Sequence, residues 1–116
     1  MKLIILDRDG VINVDSMHYI KSPEEWVPIE GSLDAISFLN KHGYTVVVAT
    51  NQSAISKKLF SLSTLDEIHK KMQDELMKKK GKIDKIFYCP HIDEDECLCR
   101  KPKSGLMEKI KEHYNI

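Results

Sequence analysis

Nowhere does the chain run apolar for the roughly 18 residues a membrane-spanning helix requires, and its first residues pass straight into a strand-like segment with no secretory leader. These absences point to a soluble, cytoplasmic protein with no membrane partner. Excess charge is missing as well. The 18 basic residues balance the 18 acidic ones, leaving no long-range field to gather nucleic acid or an anionic surface. Any affinity for anions must be local. Cysteine is scarce, and the three present fall between positions 89 and 99. Three thiols cannot all pair, so this clustering argues against a disulfide framework and for a metal held in a reducing compartment. A length of 116 residues with 41% hydrophobic content leaves room for a single domain, residues 1–116, with its own core. That is small for an α/β enzyme.

What is present is organised around LIILDRDGVIN, Leu3 to Asn13. Leu3-Ile4-Ile5-Leu6 is apolar without alternation, as in a parallel strand covered on both faces, and ligands of such sheets collect beyond the carboxyl ends of the strands. Asp7 and Asp9 occupy that position. Side chains alternate along an extended chain, so these two can face the same side, with Gly10 free for a sharp loop. Neighbouring carboxylates repel unless a cation lies between them, and Mg²⁺ takes one or two carboxylates while keeping places for water and phosphate. Asp7 is then suited to attack phosphorus and Asp9 to protonate the leaving oxygen and deprotonate water. The plainer alternative is a polar turn with two solvated aspartates. The order strand, D-x-D-G, apolar residues favours the chemical reading.

Asp15 to Gly31 carries two prolines, one tryptophan and no clean period, and reads as a loop over the end of the sheet, too short for a separate cap domain. Leu33, Ile36 and Leu39 then mark a helix from Ser32 to His42, closed by Gly43. YTVVVAT, Tyr44 to Thr50, is a second strand leading into Asn51, Gln52 and Ser53; the Thr50 hydroxyl and the following N–H groups suit a phosphate oxygen, or Thr50 only ends the strand and Ser53 caps a helix. Thr64 three residues before Glu67 predicts a helix start, with Leu65, Ile68, Met72 and Leu76 on one face and Lys78-Lys79-Lys80-Gly81 at the end. That lysine run reads as a solvated helix end, not a nucleic-acid contact. Ile83 to Tyr88 is a third strand, delivering Cys89, His91, Cys97 and Cys99, which together make a closed tetrahedral set for a structural Zn²⁺. The alternative is free cysteines. A last helix opens at Ser104 or Gly105 and places Leu106, Ile110 and Tyr114 on one side.

LDRDGVIN, VVVATNQS, YCPH and CLCRKPKSG, in that order, resemble the motifs of the haloacid dehalogenase superfamily of phosphatases, and within it the heptose-bisphosphate and histidinol-phosphate phosphatases. The resemblance runs from Leu3 to about Tyr114. It implies a three-layer, Rossmann-like α/β fold with a parallel sheet, a zinc-binding loop and no cap domain. It implies a magnesium-dependent phosphomonoesterase acting through phospho-Asp7 on a small phosphorylated sugar, the 7-phosphate of D-glycero-D-manno-heptose 1,7-bisphosphate in the supply of lipopolysaccharide heptose, or alternatively on histidinol phosphate. It assigns substrate contacts to Asp15, Ser16, Met17, His18 and Arg100, places Thr50, Asn51, Gln52 and Ser53 around the phosphate, and makes Lys101 the catalytic cation. Where relatives read S-G-I-x-R-G, this chain has Ser53-Ala54-Ile55-Ser56-Lys57-Lys58, and lysine cannot reproduce a bidentate arginine contact.

Members of the superfamily continue into a further strand ending in an acidic fourth motif that completes the magnesium site, and these 116 residues contain no such segment. Two expectations follow. Leu3–Leu6 becomes a sheet edge open to pairing, so that a complete form is a monomer and a short form can dimerise. The short form also turns over little or nothing at physiological magnesium. The non-catalytic rival is a zinc-stabilised remnant that binds phosphate or a partner.

Overall fold

The computed structural model describes residues 2–52, 55, 57–89 and 105–116. Strands and helices alternate: β1 (Lys2–Leu6), α1 (Ser32–Lys41), β2 (Tyr44–Asn51), α2 (Leu62–Lys78), β3 (Lys85–Cys89) and α3 (Gly105–Tyr114). The three strands form one parallel sheet in the order β1-β2-β3, with Leu6 opposite Val48 and Asn51 opposite Cys89. Both pairings run in the same direction, so all three carboxyl ends open on one edge.

Branched residues make β2 the spine. Val46, Val47 and Val48 are essentially inaccessible to solvent, and the pleat sends them alternately to opposite faces. Val46 and Val48 join Leu33 and Ile36 of α1 and Ile68, Met72 and Leu76 of α2. Val47 and Ala49 instead meet Phe87 and Cys89 of β3 with Leu106 and Ile110 of α3. Helices thus cover both faces, giving the three-layer α/β arrangement expected. Each fully buried Leu, Ile or Met contributes about 1.5–3 kcal/mol, enough to fix α2 by its inward stripe.

Strand β1 has the open edge expected of Leu3–Leu6 and is less buried than its unbroken apolar run suggests. Its outer edge has no strand partner among the described residues, and the strand is only half-buried, with Ile5 38% exposed. The continuous apolar run therefore belongs here to an edge, while the strand covered on both faces is β2.

The segment 15–31 has no cap among its described features. It forms one 3-10 turn, Pro23–Glu25, and then buries Trp26 completely in the same cluster as Ile20 and α2. Lys71 of α2 ties it down by donating to the carbonyls of Pro23 and Trp26 at 2.7 and 2.9 Å. The start of α2 also differs from the sequence reading. The capping residue is Ser61, in extended conformation, whose Oγ accepts from the Thr64 N–H at 3.2 Å, so Thr64 lies in the first turn.

Candidate functional site at the carboxyl end of the sheet

Immediately after β1 the chain folds around the Arg8 carbonyl, which accepts from the N–H groups of Ile12 (2.8 Å), Val11 (3.2 Å) and Asn13 (3.3 Å). Gly10 takes φ +84°, a conformation that costs a residue with a Cβ, and donates to the Asn13 carbonyl. Ile12, 1% exposed, plugs this loop into the core, and its own carbonyl accepts from Ile29 N–H and Ser32 Oγ. An apolar anchor thus holds a polar turn at the sheet edge.

The two aspartates receive different surroundings from this turn. Asp7 is exposed, and its Oδ1 accepts from the Arg8 N–H at 2.8 Å. Asp9 is part-buried and held from three directions: Arg8 Nε at 2.7 Å and Asn13 Nδ2 at 3.0 Å donate to Oδ1, and Gln52 Nε2 reaches Oδ2 at 3.4 Å. Fixed donors of this kind set the direction of a carboxylate. Asp7 lies on the exposed side of the same turn.

Arg8 is completely buried, and an unpaired buried charge is costly. Asp9 supplies the counter-charge, Gln52 Oε1 accepts from Nη2 at 3.3 Å, and His69 Nε2 lies 3.1 Å from Nη1. A guanidinium carries only donors, so His69 accepts at Nε2 and keeps its proton on Nδ1. Burial, then the Arg8 charge, depress the imidazole from 6.5 to about 3, with Asp9 opposing. His69 is neutral at neutral pH.

Gln52 links strand ends: its backbone N–H donates to Cys89 O at 2.6 Å, and its Nε2 also donates to Thr50 Oγ1 at 3.0 Å. Thr50 is 1% exposed, and Asn51 ends β2 opposite Cys89. The structure thus brings Asp7, Asp9, Thr50, Asn51 and Gln52 to one edge. Asp15 also belongs there, beside Gly10, its Oδ1 accepting from Ser16 N–H. Ser16 Oγ accepts from His18 N–H, but Met17 is 94% exposed and His18 faces solvent. Cys89 is fully buried among apolar side chains. Ser53, His91, Cys97, Cys99, Arg100 and Lys101 lie outside the described residues.

Arg8, Asn13 and His69 were not marked as site residues by the sequence. Arg8 carried one signal, a cation between two carboxylates; His69 carried none, because its place on the border of the α2 stripe is ordinary for a helix.

Among the described residues no three His, Cys, Asp or Glu side chains gather as a metal cluster. Asp7 and Asp9 nevertheless offer hard oxygen donors in a partly open setting. That donor set fits Mg²⁺, which accepts one or two carboxylates and fills its other positions with water.

Comparison with known proteins agrees with this geometry. Residues 2–116 match the family model described as polynucleotide kinase 3 phosphatase. The D-glycero-beta-D-manno-heptose-1,7-bisphosphate 7-phosphatase of Neisseria meningitidis serogroup A is 54% identical over 115 residues, 99% of this chain and 62% of that protein. The probable D-glycero-D-manno-heptose-1,7-bisphosphate 7-phosphatase of Thermoplasma volcanium is 35% identical, covering 100% of this chain and 79% of its own length. The crystal structure of the D,D-heptose 1,7-bisphosphate phosphatase of B. bronchiseptica, complexed with magnesium and phosphate, superimposes with a TM-score of 0.98 at 50% identity, over 100% of this chain and 65% of that one. The chain thus spans less than two thirds of the N. meningitidis and B. bronchiseptica proteins. Fold, motif order and relatives agree, and the chain belongs to the polynucleotide kinase 3 phosphatase family of haloacid dehalogenase-type phosphatases.

Proposed function

We propose that the chain carries the nucleophile of a magnesium-dependent phosphomonoesterase that removes the 7-phosphate of D-glycero-D-manno-heptose 1,7-bisphosphate in the cytoplasm. The observation that carries this reading is the division of labour at the end of β1, where Asp7 is exposed and Asp9 is held by Arg8, Asn13 and Gln52. An Asp7 oxygen attacks phosphorus while the bond to the sugar oxygen breaks, and Asp9 gives that oxygen its proton. Asp9 next takes a proton from water, whose oxygen attacks phosphorus and releases phosphate from Asp7. Asp7 and Asp9 would hold Mg²⁺, which when bound offsets charge on the phosphoryl oxygens. Lys101 serves the same electrostatic need, and Arg100, Thr50, Asn51, Gln52, Ser53 and the Asp15–His18 loop contact the substrate.

Cys89, His91, Cys97 and Cys99 hold Zn²⁺ in this reading and fix the loop that presents Arg100 and Lys101. Support comes from the donor set and from the position of Cys89 at the end of β3. Metal analysis of protein purified without chelator should find about one zinc per chain. Cys97→Ser should lower zinc content and melting temperature together, and a zinc-free protein with an unchanged melting temperature would remove zinc from the account.

The substrate is tested by phosphate release from heptose bisphosphate, histidinol phosphate and a generic ester at saturating magnesium. Preference for the heptose is expected. Equal or better turnover of histidinol phosphate would reassign the substrate.

A further inference from the structure

We propose that His69, on α2, is a positioning residue for Asp9 that acts through Arg8, so that the aim of the acid–base carboxylate depends on a hydrogen-bond acceptor presented from a helix. The inference rests on the reading of Asp9 given under Proposed function.

Three observations carry it. Arg8 is 0% exposed and His69 8% exposed, so neither side chain can exchange its partner freely for bulk water. Arg8 Nη1 meets His69 Nε2 at 3.1 Å while Arg8 Nε meets Asp9 Oδ1 at 2.7 Å, so one rigid planar group joins the helix to the carboxylate. Gln52 closes the circuit, accepting from Arg8 Nη2 and donating to Asp9 Oδ2. A guanidinium fork cannot rotate at one nitrogen and stay put at another. If the acceptor at position 69 is removed, the buried Nη1–H must find another partner, and the turn that brings it there swings Nε away from Asp9.

The requirement is for an acceptor at the reach of Nε2, not for a ring or a proton. Glutamine supplies one through its side-chain carbonyl; leucine has none, and asparagine falls short by a methylene. Side chains that orient reacting or ligating groups in this way typically change activity about 10–100-fold when removed. His69→Leu should therefore lower kcat by about that factor with KM little changed, as for a group that serves the transition state and not ground-state binding.

The test measures kcat and KM for heptose 1,7-bisphosphate at saturating Mg²⁺ in the unaltered chain, His69→Leu and His69→Gln, and records the solvent-protected Nε–H resonance of Arg8 by nitrogen NMR. Loss of kcat and of Nε–H protection in the leucine variant, with most of both recovered by glutamine, is the expected result. Leucine retaining both, or glutamine failing as leucine does, overturns the proposal. Should the leucine variant not fold, His69→Asn takes its place with the same expectation. Where the unaltered chain turns over too slowly for kinetics, as expected without the acidic fourth motif, the Nε–H signal alone decides: loss in leucine with recovery in glutamine supports control of Arg8 by position 69, and no change in leucine overturns it.

Discussion

Arg8 and His69 are a buried cation and a base that cannot afford to become one. The folded imidazole binds its proton near pH 3 and the unfolded one near 6.5. Above the higher value both states are neutral and His69 contributes nothing to the pH dependence. Below it the unfolded chain binds the extra proton, so stability falls by about 1.4 kcal/mol per pH unit until the folded value is approached. Urea unfolding at about pH 7 and about pH 5 should show a larger loss of stability for the unaltered chain than for His69→Gln, because glutamine does not titrate. Equal losses would mean that His69 is accessible to protons in the folded state. This cluster was not legible in the sequence: Asp7 and Asp9 stand out by spacing, whereas Arg8, Asn13 and His69 acquire meaning only when α2 is laid over the turn. Six expected site residues, Ser53, His91, Cys97, Cys99, Arg100 and Lys101, fall outside the described residues.

Elements were more legible than their ends. The valine run of β2 and the inward stripe of α2 occur where hydrophobic pattern places them, since burial of those side chains decides the element. The start of α2 shifted to Ser61 because capping depends on which hydroxyl has extended backbone, and the sequence offers Ser61, Ser63 and Thr64 within four positions. Strand β3 starts at Lys85, later than Ile83, because Gln73 already takes both backbone groups of Ile83 with its side-chain amide. At the end of α2, Gly81 donates to the Leu76 carbonyl, and a Cβ there would lie 2.7 Å from Leu76 Cδ1 and 3.3 Å from the Ser37 backbone. Gly81→Ala is therefore expected to destabilise the fold by about 1–3 kcal/mol, readable as a lower urea midpoint at unchanged slope. A neutral or stabilising effect would mean that the α1–α2 contact yields more than close packing allows.

At the scale of the whole molecule, three parallel strands between two helical layers bring the end of β1 and the end of β2 to one edge, and that placement gathers scattered polar residues into the candidate site. The sheet order also leaves Ile5 38% exposed on a strand with no outer partner among the described residues. Light scattering should show concentration-dependent association that Ile5→Lys reduces, since a charge on an open edge opposes strand pairing. A monomer at every concentration would contradict pairing through β1. The measurement closest to the central claim is phosphate release from heptose 1,7-bisphosphate by the unaltered chain and by Asp7→Asn, with and without saturating magnesium. Slow, magnesium-dependent release is expected, lowered by Asp7→Asn by about three orders of magnitude or more without a change in melting temperature. Release that ignores magnesium, or an asparagine variant as active as the unaltered chain, would contradict that claim.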